Sequence, residues 1–354
     1  MVIRELELIN YRNYTHTFIK FSPQNNIFWG ENGQGKTNII EAIFFLCNLS
    51  SFRTNKLDHL IKNTREYCVI NAKIENKQVL QFVKILITKK GKKIWLDNTP
   101  SKKASSYIQA YFALSFAPDD SQIFKTSSVE RKKIFDRAIS VISSGYIHEL
   151  QEYINVIEQK NKLLKTKDIS QLHIWNNLLS KFGKIITVKR EKFVKEINEK
   201  ISQIFFALTG RFELLKLNYE PSILDTDSWE DKLFEYKEKE LRYGYSLIGP
   251  HKDNYQLFMD EYEDRIFFSK GELKISCLAL KLAVNQIFID RYQIIPILVI
   301  DDIFSELDQN IAKNLMSYLS SLPNQIFVTS TYLTNDVSLN FTKFRVINAE
   351  LSCE

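Results

Sequence analysis

Residues 30–37 carry the first pattern that could do chemistry. They read Gly30-Glu31-Asn32-Gly33-Gln34-Gly35-Lys36-Thr37, which matches G-x-x-x-x-G-K-T. Glycines let the backbone fold around a pyrophosphate and turn its N–H groups inward at the positive end of a helix. Lys36 would then reach the β- and γ-phosphates, and the Thr37 hydroxyl would bind Mg²⁺. The pattern predicts that all eight residues bind Mg-ATP; a glycine-rich turn before a helix is the structural alternative.

The second pattern is a pair of carboxylates after an apolar run. Asp301 and Asp302 directly follow the four aliphatic residues 297–300, and Pro296 precedes them, as proline is tolerated at the first residue of a strand. An ATPase of the P-loop class needs a carboxylate at the end of a neighbouring buried strand. We expect Asp301 to hold Mg²⁺ and Asp302 to act as general base for the attacking water. With Lys36 these are the predicted catalytic residues; a plain strand end is the alternative.

A third pattern opens the helix that precedes this strand. It consists of Ser269, Lys270, Gly271 and Glu272. Ser269 and Glu272 satisfy the S-x-x-E capping box, which is the structural alternative. The order of motifs nevertheless resembles ABC-type ATPases, in which a Ser-x-Gly-Gln signature precedes the acidic strand and a Ser-x-Leu-Asp loop follows it.

That following loop is present as Ser305-Glu306-Leu307-Asp308, and Ser305 and Asp308 are its predicted functional members. In ABC-type ATPases the signature helix presents its N-terminus to the γ-phosphate of ATP held by a second subunit. The resemblance therefore implies a site shared between two chains and a homodimer that forms on ATP.

The stretches around these motifs alternate between strand and helix patterns. Residues 36–49 are apolar on nearly every side and predict a buried helix. Alternating or β-branched runs predict strands at 2–9, 26–29, 67–74, 79–88, 93–96 and 297–300. The fold class expected is α/β, an ABC-type P-loop ATPase head with an inserted β-rich lobe at about residues 51–112 and a helical arm.

Apolar residues at helical spacing fill the middle of the chain. They predict two antiparallel helices, the second over residues 171–208 with Ser170 as its N-cap. At about 1.5 Å per residue this helix would span roughly 57 Å. We therefore expect the head to comprise residues 1–140 and 245–354, and the inserted arm to comprise residues 141–244.

Composition limits the class of protein. The 354 residues are 44% apolar and 25% charged, as in soluble globular chains of one or two domains. No run of apolar residues is long enough to cross a membrane, and the charged start is unlike a signal peptide. The four cysteines lack metal-type or redox-type spacing. We expect a cytoplasmic protein with reduced thiols and no membrane partner.

The net charge of +6 is unevenly distributed, with basic stretches at 84–103 and 160–200 and an acidic one at 225–240. Such patterning fits either a polyanion-binding face or solvated helices. The candidate DNA contacts are basic residues of the β-rich lobe and the loop leading to it: Arg53, Lys56, Lys62, Lys89, Lys90, Lys92 and Lys93. No element for reading base edges is visible, so binding should be independent of sequence.

Further passages resemble the bacterial RecF family from end to end. They are Leu8-Ile9-Asn10-Tyr11-Arg12-Asn13-Tyr14, Ser51-Phe52-Arg53-Thr54, Ala117-Pro118-Asp119-Asp120, Glu130-Arg131-Lys132-Lys133 and Gly249-Pro250-His251-Lys252-Asp253. The spacing from Thr37 to Ser269 is longer than in transporter subunits and shorter than in the long-armed chromosome and repair ATPases. His251 lies in a turn, where backbone partners are expected to satisfy it, and we assign it no chemistry.

The resemblance implies a recombination mediator for repair of single-strand gaps, with roles in replication and the SOS response. It implies binding to gapped or double-stranded DNA, and RecA loading together with RecO and RecR. It also implies a weak, DNA-stimulated ATPase that acts as an ATP-dependent dimer. By the same resemblance, Arg12 and Asn13 lie beside the nucleotide, and residues 329–331 take the place of the switch loop.

Two other functions stay open at this point. An ATPase subunit of a transport system would associate with membranes and have no affinity for DNA. An ATP-binding structural clamp would hydrolyse ATP negligibly, and Asp302 stands where fast ATPases commonly have glutamate.

Overall fold

The computed structural model describes residues 1–101, 104–125, 128–224, 228–263, 268–304, 307–333 and 341–353. The strands are β1 (Val2–Tyr11), β2 (Tyr14–Lys20), β3 (Asn25–Trp29), β4 (Tyr67–Asn76), β5 (Val79–Thr88), β6 (Gly91–Leu96), β7 (Thr99–Pro100), β8 (Ala113–Phe116), β9 (Leu215–Glu220), β10 (Asn254–Met259), β11 (Tyr262–Glu263), β12 (Ile297–Ile300), β13 (Ile326–Ser330), β14 (Phe341–Ile347) and β15 (Glu350–Cys353).

The helices are α1 (Lys36–Asn48), α2 (Ala104–Ala110), α3 (Gln122–Lys125), α4 (Ser128–Ile142), α5 (Tyr146–Thr166), α6 (Leu172–Asn198), α7 (Ile201–Thr209), α8 (Trp229–Glu235), α9 (Lys237–Tyr243), α10 (Lys270–Tyr292) and α11 (Gln309–Ser320). Short 3₁₀ turns lie at Leu57–Leu60 and Pro118–Ser121. In the described part of the chain, no helix combines the length and apolar character that a membrane span requires.

The chain divides into two compact units whose limits differ from the predicted boundaries. The first comprises Met1–Asp120, Ala207–Gly210 and Phe288–Glu354, and the second comprises Ser121–Phe206 and Arg211–Ile287. Residues 121–140 and 245–287, which the sequence predicts in the head, therefore belong to the second unit. The cause is long-range pairing: β10 forms an antiparallel pair with β9, and Phe135 of α4 stacks on Tyr255 of β10 with 4.1 Å between ring centroids.

The first unit contains an antiparallel sheet with the strand order β2-β1-β4-β5-β6-β7. Alternation along β1 places Leu6 and Leu8 in the core, where they join apolar residues of α1 such as Ile39 and Phe45. Strands β4–β7, which supply the β-rich segment expected at 51–112, thus extend a sheet begun by β1 and β2. Buried residues of β4 and β5, such as Ile70 and Ile85, share its core.

A second sheet of the first unit has the order β15-β14-β3-β13-β12-β8, and all its strands except β15 pair in parallel. Strand β12 is buried along its whole length, as its four aliphatic residues require. Because parallel strands end at the same edge, the loops after β3, β12 and β13 open on one side of the sheet. The motifs at residues 30–37 and 301–302 follow two of these strands.

The side-chain amide of Gln325 joins the two sheets of the first unit. Its Oε1 accepts the backbone N–H of Ile3 at 2.7 Å, and its Nε2 donates to the Ile3 carbonyl at 2.9 Å. These residues are 322 positions apart in sequence, and both are buried. Ile3 has a partner in β4 but none in β2, so this amide supplies the hydrogen bonds that β2 does not make there.

In the second unit α5 and α6 pack against each other, and α6 also packs against β9 and α8. The single helix predicted over 171–208 is wrong, because it is divided between α6 and α7. Helix α6 ends where the Asn198 amide bonds the backbone of Leu217 in β9 through two 2.8 Å hydrogen bonds. Ser170 is not the N-cap: Gln171 occupies that position, and Ser170 bonds the carboxylate of Asp168 instead.

Candidate functional site

The loop between β3 and α1 is shaped by glycine. Gly30 has φ 143°, and a Cβ there would lie 2.5 Å from the Val346 carbonyl oxygen. Gly35 has φ 113°, and a Cβ there would lie 2.7 Å from the Asn13 side-chain nitrogen. Neither position accepts a larger residue without movement of its neighbours. The loop therefore has the close backbone packing that a phosphate cradle at a helix N-terminus needs.

Lys36 is the first residue of α1 and is buried. Its Nζ donates to the carbonyl oxygens of Gly30 and Glu31, at 2.5 and 2.7 Å, so the ammonium group lies within the curve of the loop. Burial lowers the pKa of the Lys36 ammonium, while the charges of Asp302 and Asp301 oppose that shift. Glu31, Asn32 and Gly33 are exposed along the rest of the loop.

Gln34 is hydrogen-bonded to two turns that lie next to the loop. Its side-chain oxygen accepts the N–H of Asn348 at 2.6 Å, and its carbonyl accepts the N–H of Ala349 at 3.1 Å. The Asn13 side chain also donates to the Gln34 carbonyl, at 3.4 Å. The turn between β14 and β15 and the turn between β1 and β2 thus support the loop on which phosphates are predicted to lie.

One carboxylate oxygen of Asp301 accepts hydrogen bonds from two threonine hydroxyls. Thr37 and Thr329 each donate to its Oδ1 at 2.8 Å, and the side chain is buried. Burial raises the pKa of the Asp301 carboxyl, and the hydrogen bonds from Thr329 and Thr37 and the charge of Arg53 oppose it. The predicted metal ligands Thr37 and Asp301 are therefore brought together, with oxygen donors of the kind that Mg²⁺ binds.

Asp302 turns the chain away from β12 with a left-handed backbone, at φ 42°. Its N–H donates to Thr329 Oγ1 at 2.9 Å. Thr329 therefore bonds both acidic residues. Its hydroxyl donates to the Asp301 carboxylate, and the same hydroxyl oxygen accepts the Asp302 N–H. The sequence placed Thr329 in the switch-loop segment but did not predict that it organises the acidic pair.

A polar network lies beside the loop around the buried Glu41 of α1. Arg12 donates from Nε and Nη2 to the two Glu41 carboxylate oxygens, at 2.8 and 2.6 Å. Ser51 Oγ donates to Oε1 at 2.5 Å, and Arg53 Nη1 lies 3.7 Å from Oε2. Sequence reasoning missed Glu41, although a charge inside an otherwise apolar helix was a usable signal.

Asn38 connects this network to the loop. Its Nδ2 donates to Asn13 Oδ1 at 2.7 Å, and its Oδ1 accepts Arg53 Nη1 at 2.9 Å. Arg12 and Asn13, expected beside the nucleotide, therefore both contact residues of the loop or of α1. Arg53, expected to contact DNA, is joined to the same network.

The other candidate DNA contacts are divided between two places. Lys62 Nζ donates to the Asn13 carbonyl at 3.1 Å and to Thr15 Oγ1 at 2.5 Å, next to the turn between β1 and β2. Lys92 Nζ bonds the Leu49 carbonyl at the end of α1 and lies 5.6 Å from the centre of the Phe45 ring. Lys56, Lys89, Lys90, Lys92 and Lys93 are exposed, and Lys62 is half-buried.

The signature segment lies in the second unit and forms a capping box. Ser269 Oγ lies 2.9 Å from Glu272 Oε2, which also accepts the Ser269 N–H at 3.0 Å, while Ser269 Oγ accepts the Glu272 N–H at 3.2 Å. These bonds from the Ser269 backbone and hydroxyl lower the pKa of Glu272. Arg211 donates two hydrogen bonds of 3.1 Å to the other Glu272 oxygen. Lys270 and Gly271 are exposed at the helix start.

The predicted loop after the acidic pair is described in part. Ser305 lies outside the described residues. Asp308 is the N-cap of α11 and accepts the Asn310 N–H at 2.9 Å. Its observed contact is therefore a helix cap.

His251 has one backbone partner, as expected of a turn histidine, and one side-chain partner. Its Nε2 lies 3.1 Å from the Ser246 carbonyl, which requires a proton on Nε2, so Nδ1 accepts from the Tyr153 hydroxyl at 2.7 Å. Burial lowers the pKa of His251 to about 4, so the ring is neutral at pH 7.

Comparisons with known proteins agree with this architecture. The model of the RecF/RecN/SMC N terminal domain matches residues 2–340. The DNA replication and repair protein RecF of Clostridium perfringens (strain SM101 / Type A) is 30% identical over 361 residues, which cover 100% of both chains. A solved structure of the recombination mediator protein RecF-ATP in the RecFOR pathway has a TM-score of 0.90 at 25% identity and covers 100% of this chain and 97% of its own.

The Smc head domain with an extended coiled coil from Pyrococcus furiosus has a TM-score of 0.61 at 16% identity, covers 100% of this chain and 96% of its own, and shows the fold alone. These matches confirm the α/β fold of an ABC-type ATPase head. Since the family model spans most of the chain and full-length relatives reach 30% identity, the chain belongs to the RecF family.

Proposed function

We propose that this protein binds Mg-ATP at the loop of residues 30–37, hydrolyses it slowly, and acts on DNA in replication and repair. The observation that carries the proposal is that Thr37 and Thr329 both bond one oxygen of Asp301, beside a loop in which Gly30 and Gly35 leave no room for a Cβ. The similar RecF protein described with ATP supports it.

Each residue of the site has a role in this proposal. Lys36 binds the β- and γ-phosphate oxygens, and the backbone N–H groups of the loop bind the remaining ones. Thr37 and Asp301 hold Mg²⁺, which neutralises phosphate charge when it is bound. Asp302 orients the attacking water and accepts its proton. Arg12 and Asn13 flank the nucleotide.

The proposed nucleic-acid substrate is gapped or double-stranded DNA, bound without regard to sequence. Exposed lysines at the turn between β5 and β6 supply charge for phosphates. In this role the protein is a recombination mediator that promotes RecA loading with RecO and RecR during gap repair and the SOS response. The similar RecF structure is itself described as a recombination mediator in the RecFOR pathway, which supports this role.

The proposed active form is a homodimer assembled by ATP. Ser269, Lys270, Gly271 and Glu272 would present the start of α10 to ATP held by the second chain, and Ser305 and Asp308 would lie at the same junction. The exposed position of Lys270 and Gly271 is consistent with such use.

A gel-shift assay on gapped duplex DNA tests this function. Full-length protein should shift gapped DNA in the presence of ATP and Mg²⁺, and omission of ATP should abolish the shift. Sedimentation on the same samples should show a dimer only with ATP. A protein that binds neither ATP nor DNA would contradict the proposal. ATP-dependent binding without phosphate release would favour the structural clamp, and membrane association without DNA affinity would favour the transport subunit.

A further inference from the structure

Glu41 is a fully buried carboxylate one helical turn beyond Thr37 in α1. Its neighbours in the helix are apolar, and an ionised carboxylate is costly to bury unless charged or hydrogen-bonding groups surround it. The groups that surround Glu41 come from two segments outside α1. They are the turn between β1 and β2, which carries Arg12, and the loop after α1, which carries Ser51 and Arg53.

Arg12 pairs with Glu41 from a turn with an unusual backbone conformation, in which its N–H donates to the Leu60 carbonyl at 2.8 Å. Its φ of 51° is left-handed, which an arginine adopts only when other contacts fix it. Two hydrogen bonds of 2.8 and 2.6 Å pair the guanidinium with both Glu41 oxygens. The next residue, Asn13, donates to the Gln34 carbonyl in the phosphate loop. The Arg12–Glu41 pair thus fixes a turn that supports the loop.

Arg53 is a second cation close to the Glu41 carboxylate. Its Nη1 lies 3.7 Å from Glu41 Oε2 and 2.9 Å from Asn38 Oδ1, and its side chain is 43% exposed. Ser51 orders this loop, because its hydroxyl donates to Glu41 and accepts the N–H groups of Arg53 and Thr54. One buried anion therefore holds two guanidinium groups, which leaves positive charge next to the loop that contains Lys36.

We propose that Glu41 is a positioning residue that fixes Arg12 and Arg53 beside the phosphate loop, where their charge strengthens the binding of a nucleoside triphosphate. This inference rests on the proposed function, because it takes residues 30–37 as the ATP site. A merely structural Glu41 would fasten the turn to α1 and would affect folding without a specific effect on ATP.

The two explanations differ in how mutations combine. In the positioning role, Arg53→Ala should weaken ATP binding several-fold in the wild type. It should have little further effect after Glu41→Gln, since Arg53 then keeps its bond to Asn38 but has lost the carboxylate charge that positions it. Glu41→Gln alone should weaken the binding of a fluorescent ATP analogue with Mg²⁺ by about tenfold. Affinity unchanged in Glu41→Gln, or independent effects that multiply in the double variant, would overturn the inference.

Glu75→Gln provides the matched control. It removes the charge from another Arg–Glu pair of the first unit, in which Arg4 donates to Glu75 at 2.9 and 2.6 Å between β1 and β4. ATP affinity should be unchanged in this control, and an equal loss there would show a general effect of ion-pair loss and overturn the inference.

Ser51→Ala keeps the Glu41 charge and covers the case in which Glu41→Gln does not fold. It removes the 2.5 Å hydrogen bond to Glu41, so ATP binding should weaken several-fold while the circular dichroism spectrum stays unchanged. Wild-type affinity in folded Ser51→Ala and Arg53→Ala variants would also overturn the inference. A wild-type protein that does not bind ATP would instead overturn the proposed function itself, so the two failures are distinguishable.

Discussion

The hydroxyl of Thr37 donates a hydrogen bond of 2.8 Å to Oδ1 of Asp301, although 264 residues separate them in sequence. The contact exists because β3 and β12 lie in one parallel sheet, separated by β13, and end at the same edge. Thr329, the fourth residue of β13, bonds the same oxygen. The geometry of the candidate site is thus set by three neighbouring strands.

Lys36→Ala should weaken ATP binding by about 10- to 100-fold, because it removes a charged donor from the phosphate oxygens. Isothermal titration calorimetry with Mg-ATP measures the loss, and ATP-dependent dimerisation should disappear with it. Lys20→Ala, at an exposed lysine of β2, is the matched control and should bind normally. An unchanged ATP affinity in Lys36→Ala would refute the assignment of the phosphate loop.

Asp302→Asn should bind ATP as the wild type does but turn it over at least tenfold more slowly, because the amide cannot accept a proton from water. Asparagine tolerates the left-handed backbone at φ 42°, so the substitution should not distort the chain. Phosphate release under single-turnover conditions measures the change, and dimers should accumulate with ATP. Wild-type turnover would exclude Asp302 as the base.

Asp301→Asn should stabilise the protein without nucleotide while abolishing its response to Mg²⁺. Burial raises the folded-state pKa of the Asp301 carboxyl above its unfolded-state pKa. The free energy of unfolding therefore falls as pH rises from the unfolded-state pKa to the folded-state pKa, because the buried carboxyl must ionise. The amide oxygen keeps both threonine hydrogen bonds. Thermal unfolding at neutral pH should show a higher Tm, and ATPase activity should no longer rise with Mg²⁺. A lower Tm would contradict this account.

Replacement of Lys89, Lys90 and Lys93 by alanine should weaken DNA binding for all sequences alike. It should also reduce the slope of log affinity against log salt by about one unit for each lysine that contacts a phosphate. Fluorescence anisotropy at several salt concentrations measures the slope, and ATP binding should stay intact.

Lys92→Ala is the control from the same hairpin, because Lys92 bonds the Leu49 carbonyl. It should lower the free energy of unfolding by about 1 kcal/mol and leave the salt slope unchanged. If the triple variant keeps the wild-type slope, these lysines serve solubility, and the DNA site moves to the loop around Arg53, Lys56 and Lys62.

Stability should fall as pH drops from about 6.5 to about 4, in part through His251. Its folded-state pKa of about 4 lies below the unfolded value, so its contribution is fully present above pH 6.5 and is lost on acidification. The full contribution is on the order of 3 kcal/mol. Urea unfolding across this range should show a shallower pH dependence in His251→Gln than in the wild type. Equal slopes would mean that the ring titrates normally when folded.

The sequence predicted those parts of the site that depend on local pattern. Strand β3 and helix α1 on either side of residues 30–37, and the aliphatic strand before Asp301, lie where the motifs predicted them, because each motif carries its own strand or helix signal. The capping box at Ser269 was also readable, since its two members are three residues apart.

The parts that were missed depend on contacts between distant segments. Residues 245–287 lie in the second unit because β10 pairs with β9. The residues of β10 do not by themselves indicate which strand they pair with. The place of Glu41 in the site depends on its contacts with Arg12 and Arg53, which lie in other segments. That of Thr329 depends on its hydrogen bond to Asp301. Side-chain networks of this kind follow from strand order, which local periodicity does not determine.

Contacts between the two ends of the chain, such as the one between Ile3 and Gln325, have a consequence for biosynthesis. Strand β3 leaves the ribosome early, but both of its parallel partners, β13 and β14, lie near the far end of the chain. Across the 322 residues between Ile3 and Gln325, translation at 5–20 residues per second takes roughly 15 seconds to one minute. During that time the nascent chain carries unpaired strand edges, so cotranslational chaperone binding and the rate of translation should both affect the yield of folded protein.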